Sequence, residues 1–183
     1  MDLSLVVVTD RLQARRPLLD VVAAAYAGGA RTFLLREKDL PRPERLALAR
    51  GMRELGCEVI AAGVDPLDGD AVHLSAADPV PPVGFVGRSC HSPAEMDALT
   101  VEAYCTLSPI FPTVSKPGYG PALGIGVLRP GAVALGGIES AEKAKACWDA
   151  GASGVAVMGA VMRAEDPASV VKGLLWTLNH RSC

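Results

Sequence analysis

Polar residues gather at one end of each short apolar run in this chain. LSLVVV ends in Thr9, Asp10 and Arg11, and TFLL ends in Arg36, Glu37 and Lys38. GFVG runs into Arg88, Ser89, Cys90 and His91, the next run leads into SPIFPTVSK, and AVAL stops at Gly136 and Gly137. These side chains have defined uses. Arg36 and Lys38 can neutralise an anionic group, the guanidinium binding a carboxylate or phosphate through two parallel bonds. The imidazole of His91 can take and return a proton near neutral pH; its alternative use is to cap the helix that begins near Pro93. Gly136, Gly137 and the Val157–Met158–Gly159 turn let backbone N–H groups approach a phosphate closely. Thr113, Ser115 and Lys116 lie on a long, proline-rich loop of the kind that closes over ligands.

These residues need a scaffold that brings strand ends to one face. Val/Ile/Leu-rich runs alternate with segments of helical period, the signature of repeated βα units. The expected strands are Leu3–Val8, Thr32–Leu35, Glu58–Ala61, Ala71–Leu74, Gly84–Val86, Ala103–Leu107, Ala132–Leu135 and Gly154–Val157. The expected helices are Pro17–Ala27, Pro41–Leu55, Pro93–Leu99, Ala141–Ala150 and Pro167–Leu178, with Ser92 and Asp166 as N-caps. A single compact (β/α)8 TIM barrel follows, in which strand C-termini converge on the site. Its helices must be shortened or missing between residues 62 and 83 and between 117 and 131. A shorter open α/β sheet is the alternative.

Half of the 183 residues are apolar, enough for one substantial core, and the formal net charge of −2 offers no basic field for nucleic acid. The five cysteines show no CxxC or His-Cys spacing, which predicts free thiols in a reducing cytoplasm without disulfides or structural zinc. No lysine- or arginine-led apolar leader and no membrane-length apolar run is present, so no membrane association is expected. GYGPALG lacks the spacing of a dinucleotide loop. Asp10 and Arg11 read as structural, His73 as a barrel-lining histidine, and His180 as a solvated residue of a polar tail.

The strand ends together resemble the thiamine phosphate synthase/TenI family over nearly the whole chain. The matching stretches are VVVTDR (Val6–Arg11), LLREK (Leu34–Lys38), AVHLSAAD (Ala71–Asp78), GRSCHS (Gly87–Ser92), SPIFPTVSKPGYG (Ser108–Gly120), ALGGI (Ala134–Ile138) and GVAVMGAV (Gly154–Val161). The resemblance implies a (β/α)8 barrel that binds a phosphorylated thiazole in vitamin B1 synthesis. Synthase members join that thiazole to a pyrimidine diphosphate with the help of Mg²⁺; TenI-type members tautomerise a thiazole carboxylate phosphate. In synthases the residues matching Thr113, Ser115 and Lys116 contact the thiazole and the diphosphate.

Two departures bear on the choice. Leu34 stands where synthases carry a glutamine, and Ala61, Ala62 and Gly63 stand where they carry Asn-Asp-Arg. Asp78 alone remains at a metal-carboxylate position. With GRSCHS resembling the TenI branch, the favoured expectation is a thiazole tautomerase using His91 as proton shuttle and no cofactor. The alternatives are a thiamine phosphate synthase, with Mg²⁺ at Asp78, or a catalytically silent thiazole phosphate-binding regulator. The expected partner is the small-molecule thiazole phosphate, and Trp148 and Trp176 on outer helices admit a homo-oligomer.

Overall fold

The computed structural model of the chain describes residues 1–113 and 121–179. Its eight strands are β1 (Leu5–Val8), β2 (Thr32–Leu35), β3 (Glu58–Ala62), β4 (Ala71–Leu74), β5 (Phe85–Cys90), β6 (Tyr104–Leu107), β7 (Ala132–Leu135) and β8 (Gly154–Val157). Each pairs in parallel with the next, and β8 closes on β1 with Leu5 opposite Val155. The barrel is therefore closed, and the open-sheet alternative is excluded. The largest departure from the expected bounds is β5. Gly87, Arg88 and Ser89 interrupt the apolar pattern, yet they pair residue by residue with Tyr104, Cys105 and Thr106, so the strand runs on to Cys90.

The period of two along each strand divides the core. Leu5, Val7, Phe33, Leu35, Cys105, Leu107, Val155 and Val157 face outward into the layer beneath the helices. Val6, Val8, Leu34, Ile60, Ala62, Tyr104, Val133 and Ala156 fill the barrel interior.

The helices are α1 (Leu18–Ala27), α2 (Arg42–Glu54), α3 (Pro93–Asp97), α4 (Ala141–Asp149), α5 (Gly159–Met162) and α6 (Pro167–Asn179). Ser92 caps α3 by accepting the Glu95 N–H at 3.1 Å, and Glu95 returns a carboxylate to the His91 N–H at 2.8 Å, a variant of the capping box. Asp166 caps α6 through the Ser169 N–H. The short helix α5 has no counterpart among the expected helices.

No helix connects β3 to β4 or β4 to β5, and between β6 and β7 the described residues form only a 3-10 turn at Ile125–Val127. A plug takes the helix's place after β3. Leu67 is fully buried there, Arg53 donates to its carbonyl at 2.8 Å, and Arg42 and Arg50 hold Asp65 and Asp68. Among the described residues Cys57, Cys90, Cys105 and Cys147 are buried free thiols, and no helix is long and apolar enough to cross a membrane.

Candidate active site

A cavity of about 290 Å3 opens at the C-terminal ends of the strands, where parallel barrels carry their chemistry. It gathers Arg36, Lys38, His91, Thr113, Gly136, Gly137, Met158 and Gly159 on one wall system. Val157 is not among its lining residues: as an outward member of β8 its side chain packs under the helices, while Ala156 and Met158 face the cavity. Ser115 and Lys116 lie outside the described residues. Asp78 stands on the loop after β4, off the cavity wall.

At the β7–β8 side, Gly136 and Gly137 adopt φ of 98° and 67°, a region open mainly to glycine. A Cβ at Gly137 would lie 2.4 Å from the Pro112 carbonyl oxygen, so the loop after β6 leans directly on this turn. The carbonyls of the pair are engaged: Gly136 accepts the Phe111 N–H at 3.1 Å and Gly137 accepts Lys143 Nζ at 3.0 Å. Their N–H groups donate to none of the described residues. Gly159 and Ala160 open α5 with N–H groups that donate to none of the described residues, whereas the Val161 and Met162 N–H groups donate to the Met158 carbonyl at 3.1 and 2.9 Å. The turn after β7 and the start of α5 thus present backbone donors to one side of the cavity.

At the β2 end, the buried Glu37 carboxylate accepts two bonds from the Arg11 N–H and one from Arg11 Nη1, all at 3.2 Å. Arg11 then grips Asp39 at 2.9 and 2.6 Å and holds that carboxyl below its ordinary range. Arg11 is structural, as expected. Because it neutralises Glu37, the exposed Arg36 and Lys38 make no ion pair among the described residues, and both face the cavity. Asp10 accepts from Gln13 Nε2 at 2.6 Å; Gln13 accepts in turn from Arg163, which pairs with Glu139 at 2.8 Å. This belt joins the loops after β1, β7 and β8 around the Gly136–Gly137 turn.

The loop after β4 is built on one ion pair. Arg88 Nε donates to Glu102 at 2.6 Å, with side chains 13% and 5% exposed. Arg88 Nη1 also donates to the carbonyls of Ser75, Ala76 and Asp78. Burial opposes the Glu102 charge, but bonds from Arg88 and from the Thr100 and Val101 N–H groups outweigh it and bring its pKa to about 2. Bonds from Ser75 hold Asp78 below its ordinary value, and Lys38 and Arg88 add to the effect.

For a divalent metal the donor set is thin. Among the described residues no three His, Cys, Asp or Glu side chains stand together, and residues 114–120 bring no carboxylate. Mg²⁺ is commonly held by one or two carboxylates plus substrate phosphate oxygens. Asp78 could supply one such carboxylate, and the described residues form no metal cage.

The cavity floor is polar on the β4–β6 side. His73 sits at 5% exposure with Nδ1 3.0 Å from Tyr104 Oη and Nε2 3.0 and 3.2 Å from Ser89 Oγ and Thr106 Oγ1. Burial pushes its pKa down to about 3, assisted by Lys38 and Arg88, so the ring is neutral. His91 Nδ1 lies 3.0 Å from the Ser108 carbonyl, which can only accept, so that nitrogen carries hydrogen. His91 is thus a wall residue, and the cap of α3 is Ser92. The opposite wall, Val8, Leu34, Ala62 and Ala156, is apolar. Sequence reasoning passed over Ser75, Ser89, Ser108 and Glu139 as lining residues. The period of two through His73 on β4 and Tyr104 on β6 was the signal that could have found Ser75 and Ser108.

The family described as Thiamine monophosphate synthase matches residues 5–161. The chain belongs to this family. A thiamine-phosphate synthase of Methanoculleus marisnigri is 36% identical, covering 95% of this chain and 94% of that protein. One of Moorella thermoacetica is 34% identical over 92% of each. Among solved structures, thiamine phosphate pyrophosphorylase from Pyrococcus furiosus superposes with a TM-score of 0.83 at 27% identity, covering 97% of this chain and 96% of that one. The family places the chain in thiamine biosynthesis. These relatives correct the expected preference for a tautomerase over a transferase: they carry the synthase name along nearly their full lengths.

Proposed function

We propose that the chain is a thiamine phosphate synthase, joining a thiazole phosphate to a pyrimidine diphosphate. The observation that carries this reading is the presence of two separate anion sites on one cavity. The glycine cup after β7 and β8 suits a phosphate monoester, and Arg36 and Lys38 at β2, which make no ion pair among the described residues, suit a more highly charged group. Strands β8 and β2 flank β1, so the two sites stand about 10 Å apart by strand spacing.

In the reaction the bond between the pyrimidine methylene carbon and the diphosphate oxygen breaks, and the diphosphate departs with the bonding pair. The thiazole nitrogen lone pair forms the new C–N bond, leaving that nitrogen cationic without loss of a proton. No step moves a proton between carbons, so no shuttle is required of His91. Arg36 and Lys38 meet the charge that grows on the leaving diphosphate. The cup, with Thr113 on the adjoining wall, holds the thiazole phosphate. Ser115 and Lys116 are assigned to the same loop's ligand contacts by the family resemblance alone. Asp78 would hold Mg²⁺ together with the diphosphate, and Mg²⁺ supplies charge neutralisation of the leaving group when bound.

The test is product formation from both substrates by the purified protein, with Mg²⁺ and with a chelator, resolved by chromatography. Metal-stimulated thiamine phosphate is the expected result. Binding of the thiazole phosphate without any product would refute the synthase reading and leave a silent binder.

A further inference from the structure

Glu139 is a carboxylate on the side of the cavity assigned above to a phosphate. It lines the cavity two residues after Gly137, beside the turn whose N–H groups donate to none of the described residues. A negative charge fixed there repels a phosphate unless a cation matches it. Arg163 is that cation: its Nη2 donates to Glu139 at 2.8 Å, and its Nη1 donates to Gln13 on the loop after β1. The two charged side chains are 40% and 52% exposed, so their pairing adds little to stability. The use of the pair therefore lies at the cavity.

Gly159 gives the arginine its seat. A Cβ at this position would lie 2.5 Å from Arg163 Cζ and Nη2, and closer still to Nη1. Three atoms of one guanidinium thus fill the space that a side chain at residue 159 would take. Arg163 stands four residues on, and a side chain one turn later leans back toward the N-terminal end. Gly159 lines the cavity and does not adopt a positive φ, so its backbone asks for no glycine. The missing Cβ instead makes room for the guanidinium.

We propose that Arg163, seated on Gly159 and held by Glu139 and Gln13, is the cation that sets phosphate affinity on the β7–β8 side of the cavity, with Glu139 as its counterweight. This rests on the reading of that side as the phosphate site. Arg163 draws the phosphate dianion, and Glu139 cancels part of the attraction. The coupled product keeps the same phosphate as the thiazole substrate, so a moderated site binds the substrate without trapping the product.

The experiment is calorimetric titration of the full-length protein at low salt with three probes: the thiazole phosphate, inorganic phosphate and the unphosphorylated thiazole alcohol. Arg163→Gln is expected to weaken both phosphate probes about tenfold, since it removes a cation and leaves Glu139 unmatched, and to hold the alcohol within about twofold. Glu139→Gln is expected to strengthen both phosphate probes about threefold, and on top of Arg163→Gln to recover part of the loss. Gly159→Ala displaces the guanidinium; it reproduces the Arg163→Gln loss in the wild type and adds nothing in the Arg163→Gln background. All of these differences shrink as salt rises. Weaker phosphate binding in Glu139→Gln overturns the proposal, as does an Arg163→Gln protein that loses phosphate and alcohol equally or loses neither. An equal loss from Gly159→Ala in both backgrounds overturns the seating of Arg163. The expected pattern with inorganic phosphate, in a protein that forms no product or does not bind the thiazole phosphate, refutes the synthase reading and supports the role of Arg163.

Discussion

Replacing Arg88 by Met tests whether one ion pair holds up the loop that carries Asp78. Arg88 Nε meets Glu102 at 2.6 Å, and its Nη1 donates to three carbonyls of residues 75–78. Glu102 is 5% exposed and falls from an ordinary 4.5 to about 2. A depressed carboxylate contributes stability that is present above its unfolded pKa and is lost as pH falls through the folded one. For Glu102 the loss runs from about pH 5 down to about pH 2. The full drop corresponds to about 3 kcal/mol, of which about 2 kcal/mol is gone by pH 3. Arg88→Met leaves the buried carboxylate without its cation, a change that typically costs about 3–5 kcal/mol. Urea unfolding of both proteins at pH 7 and pH 3 measures this directly. The expected gap is at least about 3 kcal/mol at pH 7, narrowing by about 2 kcal/mol at pH 3, where Glu102 is protonated in the unfolded chain and in the variant while the Arg88 pair keeps it ionised in the folded wild type. The variant should also show a raised KM for the pyrimidine diphosphate, since the Ser75–Asp78 loop loses three hydrogen bonds. A gap of equal size at both pH values would refute the electrostatic account, and a gap below about 1 kcal/mol at pH 7 would show that the pair behaves as a surface bridge.

Arg36→Gln and Lys38→Gln should each weaken binding of inorganic diphosphate about tenfold at low salt, the loss shrinking as ionic strength rises, with thiazole phosphate affinity unaffected; calorimetric titration of both ligands separates the two sites. Gly137→Ala should cost about 1–2 kcal/mol in stability from its positive φ, and the Cβ contact with the Pro112 carbonyl should displace the β6 loop and cut thiazole phosphate affinity at least tenfold. Normal affinity in that variant would move the phosphate away from the glycine cup.

The barrel was legible because its strands are short apolar runs and its helices carry their own stop and start residues; Ser92 and Asp166 cap the helices they were expected to cap. That Arg36, Lys38, His91, Thr113, Gly136, Gly137 and Gly159 line one cavity was legible at the level of strand ends, since a polar residue following an apolar strand in a parallel barrel reaches the mouth. What remained hidden depended on pairings across the fold. Glu37 stands between Arg36 and Lys38 in sequence and could have neutralised either, but its partner is Arg11, 26 positions away, and that choice is what leaves two cations facing the cavity. The polar end of β5 read as loop because Arg88 and Ser89 break its pattern, although one answers Glu102 outside the barrel and the other His73 within it. The substitutions at Leu34 and Ala62 read as a change of reaction. In the structure they form an apolar wall facing a polar floor, with Arg36, Lys38 and the Gly136–Gly137 turn on the same cavity; on the proposed reading, that arrangement changes how the pyrimidine edge is held and keeps the groups that would meet phosphate and diphosphate. A reaction whose barrier is set by the departure of an anion can tolerate such a wall far better than the loss of the cations opposite it.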